Sequence, residues 1–405
     1  MNQMVRTPPA LLASVAFSGQ RGEFRRLVTR GALLELVTVG FYRFWLATDI
    51  RRHLWSHTSV DGDAFEYTGR ARELLIGFLF ALAILVPIYL AYFLVGLEAE
   101  RFKAFASFPL VAFFYVFGQF AIYRARRYRL TRTVWRGVRF WMTGSGWAYA
   151  ARAALWALLM PLTLGLILPW REAALERYKM RHSHFGDLQG SFEGRGWEFF
   201  KRGFWIWLTA VVALLVLVLA VPLGKLLPAL LPMAKVMAFV AALVLLIGAP
   251  FLYGAFRAVE WRWWISGIRF GDVALESALP RNALSGLYWK VIGWYLLIAV
   301  LFGAYLSLCA ALAANLAQTS MTTMFVSGHL QGSIPVLVAM GIGYLGFILA
   351  VNVVMRVYLL RDLWAKLIDS TTVHGLEAAA NVAARGDLAS AVGEGLADGL
   401  DVVGF

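Results

Sequence analysis

The chain has 405 residues, of which 60% are hydrophobic and only 15% are charged, and its formal net charge is +14 at pH 7. Several apolar runs exceed the roughly 18 residues that cross a hydrocarbon core, so the composition excludes a water-soluble globular protein. The basic surplus does not require nucleic acid as a partner, because nearly all lysines and arginines lie in four loops and in the two terminal segments.

Six apolar runs are long enough to predict membrane-spanning helices, and they pair as three hairpins. The pairs are 74–96 with 104–123, 204–223 with 233–256, and 286–317 with 334–360. Each hairpin is closed by a charge-poor connection and flanked by basic loops, and the positive-inside rule places basic loops in the cytoplasm. The pattern therefore predicts six spans with both termini in the cytoplasm.

Two further apolar stretches, 27–47 and 147–170, have basic sequence on both sides. A single crossing by either would leave a strongly basic segment outside, against the positive-inside rule. Charges inside them, such as Arg30 and Glu35 in the first and Arg152 in the second, are costly in free lipid. We therefore predict two interfacial or re-entrant helical segments. The alternative is a protein with eight spans.

A basic turn element recurs four times beside the apolar stretches. The first copy contains Arg52, Asp61-Gly62 and Phe65-Glu66-Tyr67, and shifts of 75, 125 and 205 positions find the others. Such self-similarity indicates internal duplication. Glycines between short alternating runs, Gly62, Gly137 and Gly267, predict two-stranded hairpins in this element. Because a lone hairpin is marginal in water, these hairpins are expected to pack on something.

The predicted fold class is an all-α polytopic membrane protein. It is a tandem internal repeat of helical hairpins with two interfacial or re-entrant segments and short cytoplasmic β-hairpin turns. The predicted boundaries run from a cytoplasmic N-terminal arm to a cytoplasmic C-terminal tail. They are the arm at 1–26, repeat unit 1 at 27–146 with hairpin 74–123, repeat unit 2 at 147–285 with hairpin 204–256, a third hairpin at 286–360, and the tail at 361–405.

Several local runs resemble one known family. They are Phe17-Ser18-Gly19, the segment Thr38 to Trp45, Phe65 to Gly69, Gly144 to Trp147, the segment Thr163 to Trp170, Gly267 to Gly271, and the Gly393-Glu394-Gly395-Leu396-Ala397-Asp398 run near the C-terminus. On these residues the chain resembles the YjgN-like family of uncharacterised bacterial inner-membrane proteins. The resemblance covers nearly the whole chain and implies an integral inner-membrane protein. It brings no reaction and no catalytic residues.

Four repeated arginines are the first candidates for a binding site. Arg52, Arg127, Arg177 and Arg257 lie where apolar stretches meet basic loops. One interpretation makes them topology determinants that snorkel to lipid phosphates. The other makes them a set of quasi-equivalent ligands for anions or lipid headgroups. Both interpretations imply membrane lipids, especially anionic ones, as partners.

Histidines are the candidates for a metal site. His53 and His57 are four positions apart in the first unit, and His182 and His184 occupy the corresponding region of the second. Two histidines with nearby carboxylates bind Zn²⁺ or another transition metal. Nearby arginines would repel a cation, however, and no complete ligand motif is present. The competing interpretation is polar loop residues at the headgroup level, and we predict no cofactor.

The sequence leaves two functional hypotheses open. Internal repeats are common in transporters, so the first is a channel or carrier for a small solute or a lipid. The second is a membrane scaffold that organises lipids by binding anionic headgroups, or that binds a protein partner. No nucleophile–base arrangement is visible, so we predict that the protein is not an enzyme. The residues identify neither a substrate nor a protein partner.

Overall fold

The computed structural model describes residues 13–98, 103–316 and 334–390. The helices of these segments follow one another along the chain, and a π-helical stretch, Met355–Arg361, joins the last two. They are α1 (Arg21–Val37), α2 (Arg43–Ser56), α3 (Ala71–Glu98), α4 (Lys103–Thr131), α5 (Gly146–Leu162), α6 (Leu168–Arg181), α7 (Gly196–Leu226), α8 (Leu231–Gly267), α9 (Ser285–Leu316), α10 (Ile334–Val354) and α11 (Asp362–Asp369). Short 3₁₀ turns lie at Pro228–Leu230 and Leu376–Ala379.

Ten short strands form one closed antiparallel barrel, so the prediction of an all-α fold is wrong. The strands are β1 (Ala13–Phe17), β2 (Thr58–Val60), β3 (Asp63–Tyr67), β4 (Thr133–Trp135), β5 (Val138–Met142), β6 (Ser183–Phe185), β7 (Leu188–Phe192), β8 (Ile268–Phe270), β9 (Val273–Ser277) and β10 (Thr371–His374). Each strand pairs with its neighbours in sequence, and β10 returns to β1 with Val373 opposite Ala13.

Barrel closure gives the edge of every short hairpin a neighbouring strand to pair with. Each contributes strands of only three to five residues, and unpaired edge groups invite pairing. Asp61-Gly62 and Arg136-Gly137 have positive φ at both residues, as a two-residue hairpin turn of type I′ requires. The four hairpins supply eight strands. The other two, β1 and β10, lie in the predicted N-terminal arm and C-terminal tail and pair with each other. Closure removes every edge.

The fourth hairpin lies five residues later than the sequence repeat places it. Its strands are β8 and β9, joined at Gly271-Asp272 rather than at Gly267. Gly267 instead ends α8, where an added Cβ would come within 2.5 Å of the Phe192 ring. Since β2 begins at Thr58 and β8 at Ile268, the true shift from the first copy to the fourth is 210 positions.

Five helices lead directly into the even-numbered strands: α2 into β2, α4 into β4, α6 into β6, α8 into β8, and α11 into β10. In four of the five, a hydroxyl at the first strand residue donates to the carbonyl four positions earlier, which closes the last helical turn. These bonds are Thr58 to Leu54, Thr133 to Arg129, Ser183 to Lys179, and Thr371 to Leu367, at 2.7–2.9 Å. Five helix ends therefore surround one end of the barrel.

Five helical segments of the described residues are long and apolar enough to cross a membrane. They are Ala71–Phe93, Gly196–Leu226, Pro228–Gly267, Ser285–Asn315 and Pro335–Asp369. They match five of the six predicted spans. The sixth, 104–123, lies within α4, a continuous helix that is not among these five segments.

Each predicted interfacial or re-entrant segment is a helix–turn–helix, α1–α2 in one case and α5–α6 in the other. The turns share Thr-x-Gly: Val39 and Gly40 have positive φ in the first, and Leu164 and Gly165 in the second. The Thr38 hydroxyl donates to the Leu34 carbonyl at 2.7 Å and accepts from the Tyr42 amide at 2.9 Å. The shared turn explains why this stretch repeats, while its position in the membrane stays a prediction.

The tips of both turns are apolar and exposed. Val39 is 88% exposed and Leu164 is 65% exposed. A β-branched residue such as Val39 rarely adopts positive φ, so the turn is strained unless its surroundings hold it. Both ends of each helix–turn–helix lie at the barrel, because a strand precedes its first helix and another follows its second.

Candidate functional site

The interior of the barrel contains an apolar cavity of about 410 Å³, here called the lumen. Inward positions alternate along each strand, so side chains such as Val60, Trp135 and Val273 face it. Aromatic rings line one side, with the ring centroid of Phe185 lying 4.6 Å from Phe140 and 5.7 Å from Trp135. An eight-stranded barrel is just wide enough to be filled by side chains, and ten strands leave more room.

The C-terminal segment covers the end of the lumen where the hairpin turns lie. Leu376, Ala379 and Val382 pack on the barrel's core side chains. The chain then crosses the β6–β7 turn, where the amide of Ala383 donates to the Asp187 carboxylate at 3.2 Å. A Cβ at Gly186 would come within 2.4 Å of Val382, so a glycine is required under this crossing. We call residues 376–390 the strap.

At its other end the lumen meets a second cavity of about 420 Å³ between the helix ends, here called the vestibule. The two cavities share five lining residues: Arg126, Leu130, Trp261, Trp264 and Trp364. The helices α4, α6 and α8 each line the vestibule with residues at the same three positions. These residues lie 11, 7 and 4 positions before the first residue of the strand that follows the helix. They are Ile122, Arg126 and Arg129; Glu172, Glu176 and Lys179; and Arg257, Trp261 and Trp264.

The vestibule is charged, and most of its charges are paired. Glu176 is buried and lies 3.5 Å from Arg126 Nη1, and its other oxygen pairs with Lys179. Burial by itself would raise the pKa of Glu176, but the attraction of Lys179 and Arg126 outweighs burial and lowers that pKa. On α8, Arg257 pairs with Glu260.

The pKa of Glu172, one turn before Glu176, is shifted in the opposite direction. Glu172 pairs with Arg171, yet its burial raises its pKa above the ordinary range, and the neighbouring Glu176 adds to that rise. Two carboxyls on one helix face therefore differ in how strongly the fold stabilises their charged forms.

Donor groups with no partner in the described residues also line the vestibule. The Trp261 indole Nε1 and the Arg126 guanidinium Nε are buried there and form no hydrogen bond. Buried donors normally have partners, so each unpaired one needs a reason. Acceptor oxygens of a bound molecule would satisfy donors of this kind.

The comparison with protein families decides where the chain belongs. A family model described as bacterial protein of unknown function (DUF898) matches residues 13–399. The chain belongs to this family. The match agrees with the resemblance to YjgN-like proteins drawn from the sequence. No curated protein and no solved structure matches the chain. Together with its five apolar helices, the family makes this a bacterial membrane protein.

In this DUF898 protein the four predicted arginines do not come together at one site. The Arg52 guanidinium donates to the Gly69 carbonyl at 3.0 Å in the first unit. Arg127 lines a polar cleft on the outer barrel wall, and Arg177 is exposed on α6. Arg257 faces the vestibule. Arg52, Arg127 and Arg177 each lie six positions before the first residue of the strand that follows their helix. The residue at this position on α8 is Arg262, not Arg257.

The four predicted histidines also divide into separate pairs. The rings of His53 and His57 lie 4.1 Å apart, and burial followed by the charge of His57 lowers the pKa of His53. His182 lies against Tyr178, and His184 stacks on Trp141 at 4.2 Å. Among the described residues, no group of three or more His, Cys, Asp or Glu side chains is placed to hold a metal ion. The Gly393–Asp398 run lies outside the described residues.

The acids and tryptophans of the vestibule are what sequence reasoning missed. A signal was present, because Glu172, Glu176 and Lys179 are spaced on one helix face immediately before a predicted hairpin. Arg257, Trp261 and Trp264 have the same spacing on α8. The periodicity shows that the residues share a face, but the sequence does not show that the two faces meet.

Proposed function

We propose that the protein binds a long-chain amphiphile from its membrane, with the apolar chain in the lumen and the polar head in the vestibule. The observation that carries this proposal is that the two cavities are neighbours with a shared wall, to which Arg126, Trp261 and Trp364 belong. A lipid has the same division into an apolar part and a polar part. Binding and transfer of the lipid, rather than a chemical reaction, is the proposed activity.

The size and chemistry of the lumen support an apolar occupant. Apolar cavities of about 150 Å³ stay dry and bind small hydrocarbons, and the lumen is larger. Ligand sites typically have volumes of about 300–1,000 Å³ and combine apolar walls with a few polar groups. The vestibule supplies those polar groups. A polar solute finds little to bind on the lumen wall, so a lipid is favoured over a small polar solute as the molecule carried.

The helix arrangement also disfavours a solute site directly between the first and second hairpins. There α4 packs against α5, and α6 packs against α7. The second helix–turn–helix therefore lies between the hairpins that the repeat would bring together in an ordinary two-unit transporter. The scaffold hypothesis is supported by a different feature, a group of arginines on the surface of the protein.

The barrel also bears on topology. The two terminal strands and all four hairpins belong to one barrel, which supports placing them on one side of the membrane. The hairpins belong to the basic loops, so the positive-inside rule supports a cytoplasmic barrel, cytoplasmic termini and six spans in the inner membrane. With Cys309→Ala as background, Ala64→Cys and Ala384→Cys should resist an impermeant maleimide in intact cells and react after permeabilisation. Labelling of either in intact cells would refute this orientation.

The binding proposal is tested by filling the lumen. Val60 faces the lumen on β2, whereas Val134 is the outward, middle residue of β4. Val60→Phe and Val134→Phe add the same volume on opposite sides of the barrel wall. Delipidated proteins are incubated with vesicles of phosphatidylethanolamine and phosphatidylglycerol, re-extracted, and their bound lipid is counted by native mass spectrometry.

We expect wild type and Val134→Phe to retain lipid at the same molar ratio, and Val60→Phe to retain much less. Equal retention in both variants would place the lipid outside the lumen. Absence of retained lipid in wild type would end the proposal. Thermal unfolding of each variant checks that the barrel remains intact.

A further inference from the structure

Three arginines surround a small pocket that shares no lining residue with the lumen or the vestibule. The pocket has a volume of about 120 Å³, and Arg202, Arg262 and Arg281 line it with Ala258, Val259 and Leu279. Arg202 comes from α7, Arg262 from α8, and Arg281 from the loop after β9. Three separate elements thus direct cationic side chains to one place.

Among the described residues, no carboxylate is in direct contact with this group of arginines. None lines the pocket, and none of the three guanidiniums forms an ion pair with a described residue. Glu198 lies one helical turn before Arg202 on α7, and it forms no ion pair with it. Like charges held around one small volume repel each other, so the arrangement favours an anion between them.

The pocket lies near the ends of two candidate spans, where lipid headgroups are expected. Arg202 is near the start of α7 and Arg262 near the end of α8, two neighbouring antiparallel helices that each contain a candidate span. On α7, Trp197 is 51% exposed and Trp205 is 70% exposed. Exposed tryptophans at the ends of spans mark the interface between lipid and water.

We propose that Arg202, Arg262 and Arg281 form a phosphate-binding site at the cytoplasmic ends of α7 and α8. Guanidinium groups match phosphate oxygens in a planar, bidentate fork, which makes arginine the residue of choice for phosphate. The phosphate belongs either to the headgroup of a phospholipid or to a free phosphate ion. The site is a second binding site, independent of the lumen.

The internal repeat supplies a matched control. Arg177 occupies the position on α6 that Arg262 occupies on α8, six residues before the strand, and it is also exposed. It does not line the pocket. Arg177→Ala therefore removes the same charge from the same repeat position without touching the proposed site.

Two measurements on the full chain distinguish the sources of the phosphate. Inorganic phosphate is titrated into the delipidated protein in detergent by calorimetry. Phosphatidylglycerol is titrated into nanodiscs of phosphatidylcholine, and the bound lipid is counted by native mass spectrometry at fixed ionic strength. Arg262→Ala, Arg281→Ala, Arg262→Lys and Arg177→Ala are compared with wild type in both.

We expect Arg262→Ala and Arg281→Ala to weaken binding about tenfold, as loss of a charged hydrogen-bond partner does. Arg262→Lys should fall between wild type and Arg262→Ala, because lysine keeps the charge but lacks the fork. Arg177→Ala should bind like wild type. Loss in the lipid titration alone identifies a headgroup site, and loss in the phosphate titration alone identifies a site for the free ion.

Equal weakening by Arg177→Ala would show that net charge, not the pocket, attracts the anion, and the proposal would be overturned. Absence of binding of both probes to wild type would overturn it as well. Because all three arginines are exposed, their replacement should not unfold the protein. Should Arg262→Ala elute as an aggregate, Arg262→Gln provides the same test with a longer polar side chain.

Discussion

The lumen and the vestibule are neighbouring cavities of nearly equal volume, about 410 and 420 Å³, with very different walls. Strands make most of the lumen, and their alternation directs apolar side chains inward. Helix ends make the vestibule, and one face of α6 places Glu172, Glu176 and Lys179 in it. The difference shows how one chain places an apolar space and a charged space end to end.

The largest expected effect is on the lumen wall. Phe185 is buried between Trp135 and Phe140, so Phe185→Ala should lower the free energy of unfolding by about 3–5 kcal/mol. Phe41→Ala removes the same ring from an exposed turn tip and should change it by less than about 0.5 kcal/mol. Thermal and denaturant unfolding in detergent measure both. Similar losses would mean that the barrel core does not dominate stability.

The next effect tests the vestibule. Glu176→Gln leaves Arg126 and Lys179 without their shared carboxylate, and breaking such a buried pair should lower the free energy of unfolding by about 3 kcal/mol at neutral pH. Glu66→Gln, on the exposed face of β3, is the control and should be nearly silent.

The pH dependence of Glu176→Gln follows from the lowered pKa of Glu176. A carboxyl whose pKa is lower in the folded protein stabilises it above the unfolded value of 4.5 and loses that contribution as the pH falls through the folded pKa. Wild type should therefore lose stability below about pH 4.5, and the loss in Glu176→Gln should be smaller. An unchanged acid profile in the variant would contradict the assignment.

A smaller effect is expected where the strap closes the lumen. Gly186→Ala would drive a Cβ into Val382 and the Ala383 carbonyl, whereas Gly271→Ala, at the same turn position with nearly the same φ, meets only the Leu188 side chain at 3.2 Å. Both substitutions place a Cβ at a residue with positive φ. The difference between their effects therefore reports on the contact with the strap. Gly186→Ala should cost about 1–3 kcal/mol more, and the strap should be cleaved faster in limited proteolysis. Equal cleavage rates would show that the strap does not depend on this contact.

The smallest effect concerns the unpaired indole of the vestibule. Trp261→Phe keeps an aromatic ring but removes the Nε1 donor, so stability should change little while lipid retention falls about fivefold, the value of one hydrogen bond. Trp147→Phe, at an exposed ring, is the control and should retain lipid like wild type. If Trp261→Phe also retains lipid fully, the head of the amphiphile does not accept from this donor.

Local sequence predicts much of the secondary structure. Five of the predicted spans appear as candidate spans, and Asp61-Gly62 forms the predicted hairpin, because turn chemistry and long apolar runs are written in adjacent residues. The fourth hairpin was misplaced because Gly267 resembles a turn glycine, while the turn lies at Gly271-Asp272. That shift also changes the repeated arginine from Arg257 to Arg262. Sequence similarity alone does not show whether Arg257 or Arg262 is the repeated residue.

The sequence by itself determined that this is a membrane protein with apolar spans, basic loops and repeated hairpin turns. Only the tertiary structure decided that the hairpins join the terminal strands in one barrel. Ala13 pairs with Val373, and no local pattern encodes a pairing between the two ends of the chain. The vestibule has the same origin, because periodicity assigns Glu176 and Trp261 to helix faces, and barrel closure brings those faces together.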